Sequence, residues 1–136
     1  MRASVVGVIV GGFALMMSGT AAAHHAFSAE FDATKPIVLK GKVVKTEWVN
    51  PHSWVHVEVK AADGKAETWA IECGAPNALL RRGWNKNSLP IGADIVVDGY
   101  RAKDGSTTAN AKDITTADGQ KMFVGSSGTG APYEKK

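Results

Sequence analysis

The residues in this chain best suited to chemistry are its four histidines. His24 and His25 are adjacent and follow directly on Ala21-Ala22-Ala23. His52 and His56 lie within an alternating stretch, His52-Ser53-Trp54-Val55-His56-Val57-Glu58. In an extended strand, residues two and four apart point to the same side. His52, Trp54, His56 and Glu58 therefore share one face, and Val55, Val57 and Val59 share the other. Imidazole is a good ligand for copper, zinc and nickel, and copper heads the divalent affinity order. Chain cleavage after Ala23 would make His24 the first residue, whose free amine and ring nitrogen could chelate one ion together. Cleavage after Ala22 would instead leave Ala23-His24-His25, with an amine, backbone amides and the His25 ring suited to square-planar copper. The expected metal-ligand set is His24, His25, His52, His56 and Glu72, with copper ahead of zinc or nickel. Glu72 enters because the expected strand pairing sets it opposite Trp54. Taken singly, each histidine also has a structural role open to it: His52 can bond backbone at a Pro51 turn, and His56 can sit on a half-solvated strand.

A second use of the same face needs no metal. Trp54 and Glu58 would then line a binding surface for a small ligand or a protein partner. Catalysis finds no support, because the chain has no nucleophile elbow, no Gly-rich phosphate loop and no H-E-x-x-H pattern. No catalytic residue is assigned. Cys73 is the single cysteine, so no internal disulfide forms, and a lone thiol is expected to be buried and inert.

These residues need elements to position them. Arg2 followed by the uncharged apolar run Val5–Met17 and the small residues Ala21–Ala23 reads as a cleavable export signal over 1–23. The run is too short for a resident membrane helix, which needs about 20 apolar residues, so the mature protein is expected in the periplasm or otherwise exported, without stable membrane insertion. Loss of Arg2 lowers the formal charge by one from the +3 of the whole chain. So nearly neutral a protein, exported, is expected to have no nucleic-acid partner.

Residues 24–124 are expected to form one domain and 125–136, rich in Gly and Ser, a disordered tail. Residues 24–36 read as a mixed lead-in. A first strand is expected over Ile37–Trp48, with a bend or bulge at Gly41, and a second over Ser53–Lys60 after the Asn50-Pro51 turn. The hairpin that follows has two candidate registers. A two-residue loop would mix apolar and charged groups on both faces. A three-residue loop, Ala62-Asp63-Gly64 with Gly64 left-handed, sets Val57 opposite Trp69, Val55 opposite Ile71 and Trp54 opposite Glu72. Only this register gives one buried face. Pro76, the Arg81-Arg82 pair and Gly83 then frame a helix of about two turns. Strands over Asp94–Arg101, Ser106–Thr115 and Gln120–Val124 complete the chain. Three strands, a helix and two further strands is the order of the oligonucleotide/oligosaccharide-binding (OB) barrel, so the expected fold is all-β, a small five- to six-stranded OB-like barrel with one short helix between strands three and four. An open sandwich is the alternative.

The words His24-His25-Ala26-Phe27, Trp48-Val49-Asn50-Pro51-His52, the Trp69 to Glu72 strand and Arg82-Gly83-Trp84 also occur here in a recognisable series. On these the chain resembles the bacterial family of exported proteins called domain of unknown function 6152. The family pattern falls on His24, His25, Asn50, Pro51, His52, Trp69, Glu72, Pro76, Arg82, Gly83 and Trp84. The resemblance implies export and an unassigned role, and it carries no catalytic residue over.

Overall fold

The structure is a computed structural model and describes residues 26–134. The expected export segment, with His24 and His25, lies outside them. Among the described residues no helix is long and apolar enough to cross a membrane.

The chain runs α1 (Ala26–Glu30), β1 (Phe31–Glu47), β2 (Trp54–Lys60), β3 (Ala66–Glu72), α2 (Pro76–Arg81), β4 (Asp94–Ala102), β5 (Thr108–Thr116) and β6 (Lys121–Phe123). β1 pairs with both β2 and β4, β2 with β3, and β4 with β5, all antiparallel. A short parallel pairing of β3 with β5 closes the ring. The circuit β1-β2-β3-β5-β4-β1 is a closed five-stranded barrel with α2 between the third and fourth strands, the OB order. β6 adds to the outer edge of β5.

The alternation of β2 and β3 does what a period of two demands. Val55, Val57, Trp69 and Ile71 face inward and are buried with Leu39, Val43, Ile95, Val97 and Ile114 in one core. The β2–β3 register matches the three-residue loop, with Trp54 opposite Glu72 and Val57 opposite Trp69. Gly64 closes that loop with φ 81°.

Two expectations about β1 are corrected. The strand begins at Phe31 rather than Ile37, because residues before Pro36 rejoin β4 after a bulge and set Phe31 opposite Ala102. The other bulge lies at Val44, not at Gly41: Val43 pairs with Val57 but Lys45 pairs with His56. The extra residue switches which side chains face inward. Thr46 and Trp48 consequently turn to the barrel end, and Glu47 turns out toward His56. Gly41 serves a different need. A Cβ there would stand 2.1 Å from the Glu58 carbonyl oxygen, so only glycine allows β2 so close.

The expected disordered tail is corrected as well. Over 125–134 the chain packs back on the barrel, with Ser126, Thr129 and Ala131 buried. Arg82 donates to the Gly125 carbonyl at 2.7 Å, and Glu134 accepts hydrogen bonds from Thr129. Gly and Ser content signals flexibility only where nothing anchors the chain. Here Tyr133 and Ala131 join Phe27, Phe31, Tyr100 and Ala102 in a second apolar cluster.

Candidate functional site

The pairings Trp54–Glu72, Glu72–Asn110 and Asn110–Tyr100 lay one row of residues across β2, β3, β5 and β4. Their strand neighbours Val55, Ile71 and Ala109 fill the core, so the row lies on the outer wall. Glu72 is nonetheless buried, at 6% exposure. A buried carboxylate requires partners, and two converge on the same oxygen. Asn110 Nδ2 donates to Glu72 Oε1 at 3.1 Å, and His52 Nδ1 stands 3.5 Å from it. The Tyr133 hydroxyl donates to Asn110 Oδ1 at 2.7 Å and accepts from the Ser126 amide at 3.2 Å. Burial raises the proton affinity of Glu72 above the ordinary 4.5, the Glu30 charge adds to this, and His52 and Asn110 oppose it. Burial also pushes the Tyr133 phenol up to about 12, so it remains a hydrogen-bond donor.

Both ends of the described chain meet at this wall. The Phe27 amide donates to the Thr129 carbonyl, and Lys103 holds the carbonyls of Ser28 and Glu30 through its ammonium and its backbone amide respectively. The Phe27 ring meets Phe31 at 5.7 Å and the edge of Tyr100 at 5.6 Å, and Tyr100 stacks on Tyr133 at 6.4 Å. The lead-in is therefore anchored beside the Tyr100 end of the row, and its Glu30 is close enough to act on Glu72.

Of the residues singled out in the sequence, His52 and Glu72 are brought together. His56 is not. Although it lies on the same side of β2, its Nε2 bonds Glu47 Oε2 at 2.8 Å, and bonds from His56 and Lys45 hold the Glu47 carboxyl below its ordinary value. Trp54 is half-buried beside the pair, and Glu58 is exposed across from Lys42 and Thr68. Among the described residues no three His, Cys, Asp or Glu side chains are grouped to hold a metal ion. Asn110 and Tyr133 were not foreseen. Asn110 is a polar residue between two alanines on a weakly patterned strand, and Tyr133 lies in the segment read as a tail. The lone aromatic in that segment was the available signal.

The barrel end beneath α2 holds a separate feature, a cavity of about 20 Å³. Ser53 and Trp84 are among the residues around it, and Ser53 Oγ and Trp84 Nε1 are buried with no hydrogen-bond partner among the described residues. An unmade buried hydrogen bond of this kind costs about 1–3 kcal/mol. Cys73 lies on the same cavity as an inert group, since burial, helped by the Glu72 charge, pushes its thiol up to about 12.

Strand order and closure make this an OB-fold protein with a His-Glu-Asn-Tyr chain on its outer wall, buried at Glu72 and Asn110. The chain belongs to the family of unknown function DUF6152, which matches residues 13–111. No curated protein matches it. Among solved structures it is similar to the mitochondrial single-stranded DNA binding protein Rim1 of S. cerevisiae. The likeness has 13% identity and a TM-score of 0.48, and covers 61% of this chain and 93% of that one. A selenomethionine-labelled structure of the same yeast protein gives 14% identity and a TM-score of 0.41, over 67% of this chain and 97% of that one. Since these neighbours are single-stranded DNA-binding proteins, the expectation of no nucleic-acid partner is corrected and withdrawn. Near-neutral charge and an expected export signal were too weak a basis for that exclusion.

Proposed function

We propose that this is an exported, non-enzymatic protein of the cell envelope that holds a transition metal ion, copper foremost, between its terminal histidines and His52. The observation that carries the reading is the His52–Glu72 pair. Its Nδ1 faces a buried carboxylate, while no described residue bonds its Nε2. A carboxylate behind one ring nitrogen fixes the ring and makes the other a better ligand, the usual support of a metal-bound histidine. Glu72, tied to Asn110, is the orienting partner in this scheme. His24 and His25 would supply the remaining nitrogens. The lead-in docks on the same wall at Phe27. His56, engaged with Glu47, drops out of the set.

The test begins with N-terminal sequencing of the secreted protein, to show whether cleavage leaves His24 or Ala23 first. Copper(II) titration of that form, followed by electron paramagnetic resonance, then counts nitrogen ligands. His52→Ala is expected to lower affinity by about 10-fold or more and remove one nitrogen, with His56→Ala unchanged. If His52→Ala binds copper as tightly as the native protein, the ion is held by the terminal residues alone and the composite site is wrong.

A further inference from the structure

Arg82, the residue after α2, is a cation that the His52–Glu72 pair leaves unused. Its Nη1 donates to the Gly125 carbonyl at 2.7 Å, and its guanidinium covers the Phe123 ring at 4.6 Å. These contacts fix the group, yet its Nε–Nη2 edge bonds no described residue. Nor does Arg82 make an ion pair among the described residues. Burial foremost lowers its proton affinity, Tyr133 opposes this, and the like charge of Arg81 adds to it; no carboxylate takes part. A Cβ at Gly125 would stand 2.5 Å from the Tyr133 ring and 2.7 Å from that of Phe123, so glycine lets both rings close round the carbonyl that Arg82 holds.

An open basin of about 500 Å³ adjoins the guanidinium, lined also by Lys112, Phe123, Ser127 and Tyr133, a volume in the range of small-molecule sites. The Lys112 ammonium reaches Asp113 only at 3.8 Å, and Lys121 shares that carboxylate oxygen at 3.7 Å. Glu134 also lines the basin, but its carboxylate is engaged by Gly128 and Thr129. The Tyr133 hydroxyl is likewise committed, to Asn110 and the Ser126 amide. What the basin offers is two cations, the exposed Ser127 hydroxyl and ring surface, Phe123 being 37% exposed.

We propose that this basin binds a small flat organic anion, an aromatic ring bearing a carboxylate. The free guanidinium edge presents two parallel N–H groups, the geometry of bidentate carboxylate recognition. Arg82 is already held by Gly125 and Phe123, so little side-chain freedom is lost on binding. Lys112 adds a second positive charge, and the ring of the ligand covers the exposed flanks of Phe123 and Tyr133. A neutral ring would leave the guanidinium edge unmatched, and a bare carboxylate would leave the aromatic surface wet. The site needs no metal and stands independently of the composite copper site.

The experiment titrates metal-free ¹⁵N-labelled protein with benzoate, with benzamide as its neutral isostere and acetate as the ringless anion. The readout is the Arg82 side-chain Nε–H resonance, identified by its loss in Arg82→Lys. Benzoate is expected to shift it saturably. Benzamide should bind about 10-fold or more weakly, since it lacks the charge that strengthens the hydrogen bonds, and acetate about 2- to 10-fold more weakly for want of the ring contact. Arg82→Lys, which keeps the charge and loses the fork, should weaken benzoate by about 10-fold. Should that variant release the C-terminal segment, Lys112→Gln still decides: it should weaken benzoate by about 2- to 5-fold, the worth of an exposed ion pair. Lys40→Gln, the same loss of charge away from the basin, should leave benzoate binding as in the native protein. A shift that stays linear in benzoate would overturn the proposal, as the behaviour of a solvated basin. Equal affinity for benzoate and either of its counterparts would overturn it too, as would equal effects of Lys112→Gln and Lys40→Gln.

Discussion

Tyr133→Phe is the substitution that tests most directly whether the C-terminal segment is part of the fold. It removes one oxygen and keeps the ring, so the stack on Tyr100 and the edge contact with Phe123 persist. Two hydrogen bonds are lost, the 2.7 Å bond to Asn110 Oδ1 and the 3.2 Å bond from the Ser126 amide. Ordinary hydrogen bonds contribute about 1 kcal/mol each. Asn110 is 1% exposed, so its carbonyl oxygen is left dry, and an unsatisfied buried acceptor costs about 1–3 kcal/mol in all. Removing the cost of burying the phenol offsets part of this. The net expectation is a loss of about 2 kcal/mol. Urea unfolding reads it as a lower midpoint with unchanged slope. Asn110→Ala should cost a similar amount, and the double variant should cost clearly less than the two singles together, because they share one bond. A loss below about 0.5 kcal/mol, the range of an ordinary surface change, would refute the packed position of Tyr133. Fully additive single costs would refute the shared bond.

Two further outcomes are expected. Glu72 binds its proton more tightly when folded than its ordinary 4.5, so the native state holds more protons than the unfolded chain as pH rises past that value. Its contribution to stability is full below the unfolded pKa and is lost as pH rises through the raised folded value. Glu72→Gln should flatten that fall in a metal-free series of unfolding curves across the acid range; an unchanged pH profile would mean that Glu72 is not buried. Gly41→Ala should be severely destabilising, by about 3 kcal/mol or more, because its Cβ meets Glu58 backbone at 2.1 Å. Gly64→Ala has open space around it and φ 81°, so only backbone strain of about 1–2 kcal/mol is at stake. Thermal melts that rank the two in the opposite order would refute the close approach of β2 to β1.

Much of the barrel was legible in the sequence because its cause is local. Alternation in Ser53–Lys60 admits only one register that keeps Val55 and Val57 on the same face as Trp69 and Ile71, and that register stands. Pro76 and Gly83 bound a helix by their own backbone preferences, and Asp63-Gly64 marks a turn the same way. Strand order with one helix between the third and fourth strands followed from these. Cys73 shares the inward parity of Ile71, and it is buried as expected.

Tertiary structure decided the rest. The bulge at Val44 arises from the course of β1 between two partners, and no residue type there announces it. That one extra residue turns Glu47 toward His56, so His56 on β2 and His52 just before it, though of matching parity, acquire different partners. The parallel β3–β5 seam sets Glu72 beside Asn110, residues 38 apart in the chain, and the returning segment adds Tyr133. Sequence periodicity records which face a side chain takes and nothing of what covers that face. His52 and Glu72 were nameable from the sequence as residues of the right chemistry and the β2–β3 hairpin brings them together, but only closure of the barrel put the buried Asn110 behind them.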